Sequence, residues 1–268
     1  MQTRHAVLAL SFASFAFVAA PALAQAPAEA AVSSKIWLDR RGEIEDYLKA
    51  AEVVGMEELK VGVTKPRKAT LAPGGPVAAI AWKVVPPGRS TGYWESYKSE
   101  IAAYELDKML GLDMVPPTVE KRVKGDLGAA VMWCTSVKSF KDLGGVPTPP
   151  GRFVGAWTRQ LSRAKMFDNL IGNMDPNLGN WLVDPAWNLI LIDHTRAFTS
   201  DKGLVHKKMD YIDGPLWDKL KGLTLEELDS KIGAWVGKGE LKAMLQRRDA
   251  MVASYEKQAA SNPDSVMR

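Results

Sequence analysis

Met166-Phe-Asp-Asn-Leu-Ile-Gly-Asn-Met-Asp175-Pro-Asn-Leu-Gly-Asn180, followed by Leu189-Ile-Leu-Ile-Asp193, carries more information than any other part of this 268-residue chain. It sets an Asp, an Asn five residues later and a second Asp after an apolar strand. A phosphoryl group in transfer carries negative charge, which divalent cations neutralise through hard oxygen ligands. A separate carboxylate must lie close enough to orient an attacking hydroxyl and take its proton. Asp175 and Asn180 on one loop, with Asp193 at the end of the neighbouring strand, can converge on one point. A polar loop between a helix and a β-hairpin, with Asn180 and Asp193 as turn residues, would account for the same letters. The unbroken apolar run 189–192 ahead of Asp193 argues for function, because a carboxylate at the mouth of a buried strand usually has a task.

The chain starts with Arg4 and His5, an apolar stretch over 6–20, and Pro21-Ala22-Leu23-Ala24-Gln25. A basic start, a stretch too short to span a bilayer and an Ala-x-Ala ending predict a cleavable signal peptide over 1–24. No cysteine lies near that site, so a lipid anchor is not expected, and no later stretch is long and apolar enough to cross a membrane. The expectation is an exported bacterial protein, periplasmic or secreted. Its single cysteine, Cys134, cannot form an internal disulfide and reads as a small buried residue after the apolar run 129–133. A net charge of +4, with acidic and basic residues interspersed, gives no sign of nucleic-acid or membrane-surface binding. Composition is silent on oligomeric state.

Periodicity predicts an amphipathic helix over 36–54, strand pieces at 59–63, 69–71 and 77–85, and a long helix from about 93 to 110 capped by Gly111. A hairpin over 119–133 turns at Lys124-Gly125-Asp126. The Gly- and Pro-rich stretch 136–152 marks a boundary. Beyond it helices are predicted over 153–171, 216–220, 225–235 and 238–258, interrupted by a hairpin over 181–192. The fold class is therefore α+β and two-lobed: a strand-rich N-lobe over 25–135 and a mainly helical C-lobe over 136–268, with a cleft between them.

Two segments resemble the atypical secretory-pathway kinases of the Golgi casein kinase type, and more distantly the HipA and phosphatidylinositol kinase-like enzymes. One is Ser99-Glu-Ile-Ala-Ala-Tyr-Glu-Leu-Asp-Lys-Met-Leu-Gly-Leu-Asp-Met-Val-Pro-Pro-Thr-Val119; the other is Leu170-Ile-Gly-Asn-Met-Asp175 with Leu191-Ile-Asp193-His-Thr-Arg-Ala-Phe198. With the strand bearing Lys83, the likeness covers most of 62–198. It implies a protein-kinase-like fold and transfer of the ATP γ-phosphate, with Mg or Mn, to a hydroxyl. Asp175 would be the catalytic carboxylate, and Asp193 and Asn180 would hold the metal. Lys83 would reach the nucleotide phosphates, paired by Glu100 or, one turn further along, Glu105. The residues alone support the pairing, because an ammonium on an apolar strand is costly unless a carboxylate meets it. An edge lysine snorkelling to water is the other reading.

Gly62-Val-Thr64-Lys-Pro66 lies where such an enzyme has its phosphate flap, and backbone amides with the Thr64 hydroxyl and Lys65 can touch phosphate there. It lacks a GxGxxG pattern, and a plain β-turn fits equally. His194 reads as a cap at the strand end, and His206-Lys207-Lys208 as a solvated loop. Two departures stand out. Pro176 and Asn177 follow Asp175 where the family has basic residues, leaving Lys65, Arg67 or Arg196 to supply the cation. Thr195 stands where a glycine is expected after the metal carboxylate. The acceptor, a protein Ser/Thr, a sugar or another small molecule, is not encoded. Three rival readings remain: an inactive nucleotide-binding scaffold, transfer of AMP on the same fold, and a metal-binding module without nucleotide.

Overall fold

The chain's apolar runs, cut by Gly and Pro, become an antiparallel sheet in the first half and helices in the second. A computed structural model describes residues 32–59, 67–90 and 92–268, which pack as one compact unit. The expected signal peptide and the flap segment with Thr64 lie outside the described residues. The order is α1 (Arg41–Ala50), β1 (Val53–Glu58), β2 (Arg67–Leu71), β3 (Ala79–Lys83), β4 (Gly88–Ser90), β5 (Tyr93–Glu95), α2 (Tyr97–Leu110), β6 (Thr118–Val123) and β7 (Asp126–Met132). Then come β8 (Lys138–Ser139), α3 (Val154–Ile171), β9 (Trp181–Val183), β10 (Leu189–Leu191), β11 (Ile212–Asp213), α4 (Gly214–Gly222), α5 (Leu225–Ile232), α6 (Lys238–Ser261) and β12 (Val266–Met267). The main sheet has the order β1-β2-β3-β7-β6, and β4 and β5 form a separate ribbon.

Period-two alternation decides what each face of that sheet covers. Ala130 and Met132 of β7 join Ile80 and Trp82 of β3 in a core with Trp37, Ile44 and Leu48 on the α1 side. Ala129 and Val131 pack instead with Tyr97 and Ile101 of α2. Lys83 stands opposite Ala129 in the β3–β7 register, so the same alternation turns it toward α2. Helix α2 itself continues into the large helical core through Ala103, Tyr104, Leu106 and Leu110. It therefore serves both halves.

Several boundaries differ from the sequence expectation. Helix α1 stops at Ala50, because the β-branched pair Val53-Val54 is drawn into strand pairing with β2. Helix α2 starts four residues later than predicted: Ser96 caps it, its hydroxyl accepting from the Lys98 amide at 3.1 Å, while Tyr93–Glu95 pair with Gly88–Ser90. Cys134 is half-buried rather than buried, and its surroundings still push the thiol up to about 12. Among the described residues, no helix is long and apolar enough to cross a membrane.

Candidate active site

Lys83, on β3, meets two carboxylates. Its Nζ donates to Glu100 Oε1 at 2.6 Å and to Asp193 Oδ1 at 2.8 Å. The pairing is with Glu100; Glu105 faces away and bridges Lys108 and Lys231. Burial works against the ammonium, but the facing Asp193 and Glu100 charges outweigh it and hold Lys83 above its ordinary value. Burial likewise pushes both carboxyls up, and the Lys83 charge overcomes it: Glu100 lies below its ordinary value and Asp193 at about 2.

The approach of the three is built by backbone. At the head of α2, the Tyr97 amide donates to the Val85 carbonyl at 2.8 Å and the Ser96 amide to the Thr195 carbonyl at 2.9 Å. Ser99 Oγ donates to the Ala197 carbonyl at 3.2 Å. The strand of Lys83, the helix of Glu100 and the segment of Asp193 are thus laced at one point. Asp193 sits in the left-handed region, φ 62°, which a short polar side chain tolerates best. Its carboxylate is fixed further by the Thr195 hydroxyl, which donates to Oδ1 at 2.8 Å. Gly128 also belongs here, since a Cβ at that position would run into the Lys83 carbonyl.

The loop after α3 carries the other two predicted residues. Asn180 lies against Asp193's strand: the Ile192 amide donates to the Asn180 carbonyl at 3.0 Å, and Asn180 Nδ2 donates to the Asp175 carbonyl at 3.1 Å. Asp175 is the most open member, its side chain 36% exposed. Asn177 Nδ2 donates to its Oδ1 at 2.9 Å. A cavity of about 200 Å³ opens at Met174, the residue before Asp175, and is lined also by Arg89, Tyr93, Trp94 and Thr199 to Asp201.

No protein-family model matches the sequence, and no curated protein matches it. Solved structures do. The Golgi casein kinase aligns over 83% of this chain and 77% of its own, at 14% identity and a TM-score of 0.62. The structure titled hydra Fam20 with sugar covers 84% of this chain and 91% of that one, at 14% identity and a TM-score of 0.63. The Helicobacter pylori proinflammatory kinase CtkA covers 80% and 97%, at 12% identity and a TM-score of 0.52. The fold is that of the Fam20-like atypical kinases.

That kinase fold implies a divalent metal, which takes hard oxygen donors. Among the described residues no three His, Cys, Asp or Glu side chains gather to hold a metal. Asp193 Oδ1 is committed to Lys83 and Thr195, while its Oδ2 carries no hydrogen bond from a described residue. Asn180 spends its Nδ2 on a carbonyl and leaves Oδ1 uncommitted in the same sense. One carboxylate oxygen and one amide oxygen fit a hard cation completed by ligand oxygens and water.

Several residues that build this kinase-like site carry no expected role from the sequence, or a different one. Asp168 accepts from Asn173 Nδ2 at 2.9 Å, and Asn173 Oδ1 accepts from the Asp175 amide at 3.2 Å, so a buried pair aims the loop. His206 lies in a loop whose Lys207 and Lys208 are exposed, but its own side chain turns inward: its Nε2 lies 3.3 Å from Asp168 Oδ2, and its amide donates to Asn169 Oδ1. His194 does not cap a strand. It is buried behind Glu100, its Nδ1 3.8 Å from Oε2, too far for a hydrogen bond. Gly172 ends α3 in the left-handed region, φ 60°, where a Cβ would meet Arg247 Cζ at 2.7 Å. Arg247 is buried, which lowers it to about 10, and donates to the carbonyls of Leu170, Thr199 and Asp201. The Asn173 and Gly172 roles had a signal in the Gly-Asn-x-Asp string; His206 and Arg247 had none.

Proposed function

We propose that this protein is an exported kinase-like phosphotransferase that moves the γ-phosphoryl of ATP to a hydroxyl-bearing acceptor. The observation that carries the reading is the buried Lys83 held between Glu100 and Asp193, with Asn180 tying the Asp175 loop to the end of the Asp193 strand. A buried ammonium with two carboxylates is an expensive element for mere stability. It is economical as a phosphate site, where incoming oxyanions share the same charge. Lys83, oriented by Glu100, neutralises the nucleotide phosphates. Asp193 and Asn180 hold the metal, Mg or Mn, which supplies charge neutralisation on the phosphoryl oxygens when bound. Asp175 orients the acceptor hydroxyl and takes its proton as the new O–P bond forms and the bond to the ADP oxygen breaks. Thr64 and the flap around it remain a phosphate contact of this reading. The sheet half, 25–135, and the helical half, 136–268, act as its two lobes.

The acceptor enters through the cavity lined by Met174, the residue before Asp175. A solved relative is titled with Mn and ADP bound and another with sugar, so Mn with ATP is the first nucleotide pair to try and a sugar hydroxyl one acceptor to include. The test is the melting temperature with and without ATP and Mn or Mg, for the wild type and Asp193→Ala. A ligand that binds only the native state raises it by RT ln(1 + [L]/Kd). A metal-dependent rise that vanishes in the variant supports the nucleotide site. No rise at millimolar ATP would sink it. A rise without turnover of any acceptor, water included, selects the inactive scaffold, and a mass gain of AMP on an acceptor selects nucleotidyl transfer.

A further inference from the structure

Arg196 has no part in the chemistry above, yet among the described residues it is the cation nearest the proposed base. Its Nε and Nη2 donate to Glu95 Oε1 at 2.8 and 2.7 Å, and its Nη1 lies 3.6 Å from Asp175 Oδ2. The guanidinium covers the Tyr93 ring, 4.5 Å from its centroid. Glu95 is only 3% exposed, so its carboxylate has been taken out of water and depends on this partner. Three contacts from β5 and the loop fix a side chain that would otherwise sample many rotamers.

We propose that Arg196 is a positioning residue: Glu95 and Tyr93 hold it so that it sets the direction of the Asp175 carboxylate. The inference rests on the reading of Asp175 as the base. Asp175 Oδ1 accepts from Asn177, and Oδ2 faces the Arg196 charge 3.6 Å away, beyond hydrogen-bond length, so the two together bias its rotation while leaving lone pairs for a hydroxyl. The sequence next to Asp175 offers no cation, because Pro176 and Asn177 stand there. The charge comes instead from 21 positions further on, after the metal carboxylate. Ribbon β4–β5 thereby enters the catalytic apparatus: Tyr93 lines the cavity at Met174 and supports the group that aims Asp175.

The competing account makes Arg196 a strut between β5 and the segment after Asp193. A double-mutant cycle separates the two. Hydrolysis of Mn-ATP, with water as acceptor, is measured for Arg196→Gln, Asp175→Asn and the pair, with Arg196→Lys as the conservative variant. Misplacing a reacting group by about 1 Å costs about 100-fold, so Arg196→Gln should lower kcat by about 10- to 100-fold with KM for ATP little changed. Arg196→Lys should recover part of the loss. In the Asp175→Asn background Arg196→Gln should cost nothing further, because the group it aims is gone. An equal loss in both backgrounds, or a change confined to KM, overturns the proposal. If the wild type neither binds nor hydrolyses Mn-ATP, the phosphotransferase reading fails, and the tie is read from urea unfolding of the same four proteins. Coupling of about twofold or more in the unfolding constant then supports it, and strict additivity overturns it.

Discussion

Replacing Lys83 by Met removes the one positive charge between two carboxylates, and the size of the effect follows from burial. Glu100 is 1% exposed and has Lys83 as its hydrogen-bonded partner at 2.6 Å. Without the ammonium, an ionised Glu100 is left desolvated beside Asp193, a situation that costs about 3–5 kcal/mol. The carboxyl can escape by taking up a proton. From an ordinary value of 4.5, holding a proton at pH 7.5 spans three units. At about 1.4 kcal/mol per unit that is about 4 kcal/mol, inside the same range. At pH 5 the same proton costs only about 0.7 kcal/mol. The variant's deficit should therefore be about 3–5 kcal/mol at pH 7.5 and about 1 kcal/mol at pH 5.

The sign is the opposite of the wild type's. There Glu100 and Asp193 lie below their ordinary values, so their contribution is fully present above those values and lost only in acid, as pH falls from 3.8 through about 2 for Asp193. In the variant the folded value of Glu100 rises above its unfolded one, and stability is lost as pH rises. Urea unfolding at both pH values, followed by the fluorescence of the nine tryptophans, measures this directly. Adding Glu100→Gln to the variant should recover most of the loss at pH 7.5. Equal deficits at both pH values, or a loss below about 1 kcal/mol at pH 7.5, would refute the reasoning.

The other predictions are smaller in scope. Asp193→Ala should abolish the metal-dependent rise in melting temperature with ATP while the protein stays folded by circular dichroism. Gly172→Ala should cost about 2–4 kcal/mol in urea unfolding, since it combines a left-handed backbone with a Cβ 2.7 Å from Arg247 Cζ. Burial raises Asp107 from 3.8 to about 6, so its contribution is present below pH 3.8 and lost as pH climbs through 6. Asp107→Asn keeps an acceptor for the Met114 and Val115 amides and should flatten that decline, gaining on the wild type between pH 4 and 7 in the same unfolding assay.

How much of this was legible in the sequence depends on the reach of the interaction involved. The β6–β7 hairpin, the Gly111 cap and helix α3 are local, fixed by turn chemistry and periodicity, and they form where those signals stand. The boundaries that moved, at Ala50 and Tyr97, moved because strand pairing outweighed helical periodicity, β1 with β2 and β5 with β4 a few residues before it. The candidate site shows the same division. Asp175, Asn180 and Asp193 sit in one short motif and could be read together. Glu95 and Arg196 are 101 positions apart, and their pairing is set by how β5 lies over the segment after Asp193. Buried Arg247 carries no pattern at all: its partners are backbone carbonyls at the end of α3 and on the loop 199–201, which a residue type cannot announce.

The segment 193–198 bears on whether such a site is ready or must be assembled. A regulated kinase segment needs a second arrangement within a few kcal/mol of the first. Here moving it would break the Ser96–Thr195, Ser99–Ala197, Met174–Arg196 and Phe198–Ile171 bonds and the Arg196–Glu95 pair together. At about 0.5–1.5 kcal/mol for each neutral bond and more for the charged one, release costs several kcal/mol, beyond what an unliganded protein samples appreciably. Thr195, in place of the expected glycine, adds to this by tying Asp193 directly. The left-handed backbone of Asp193 costs about 1–3 kcal/mol and persists because these bonds over-determine it. The arrangement is pre-formed, so on the proposed reading nucleotide and metal would bind without rearranging this segment.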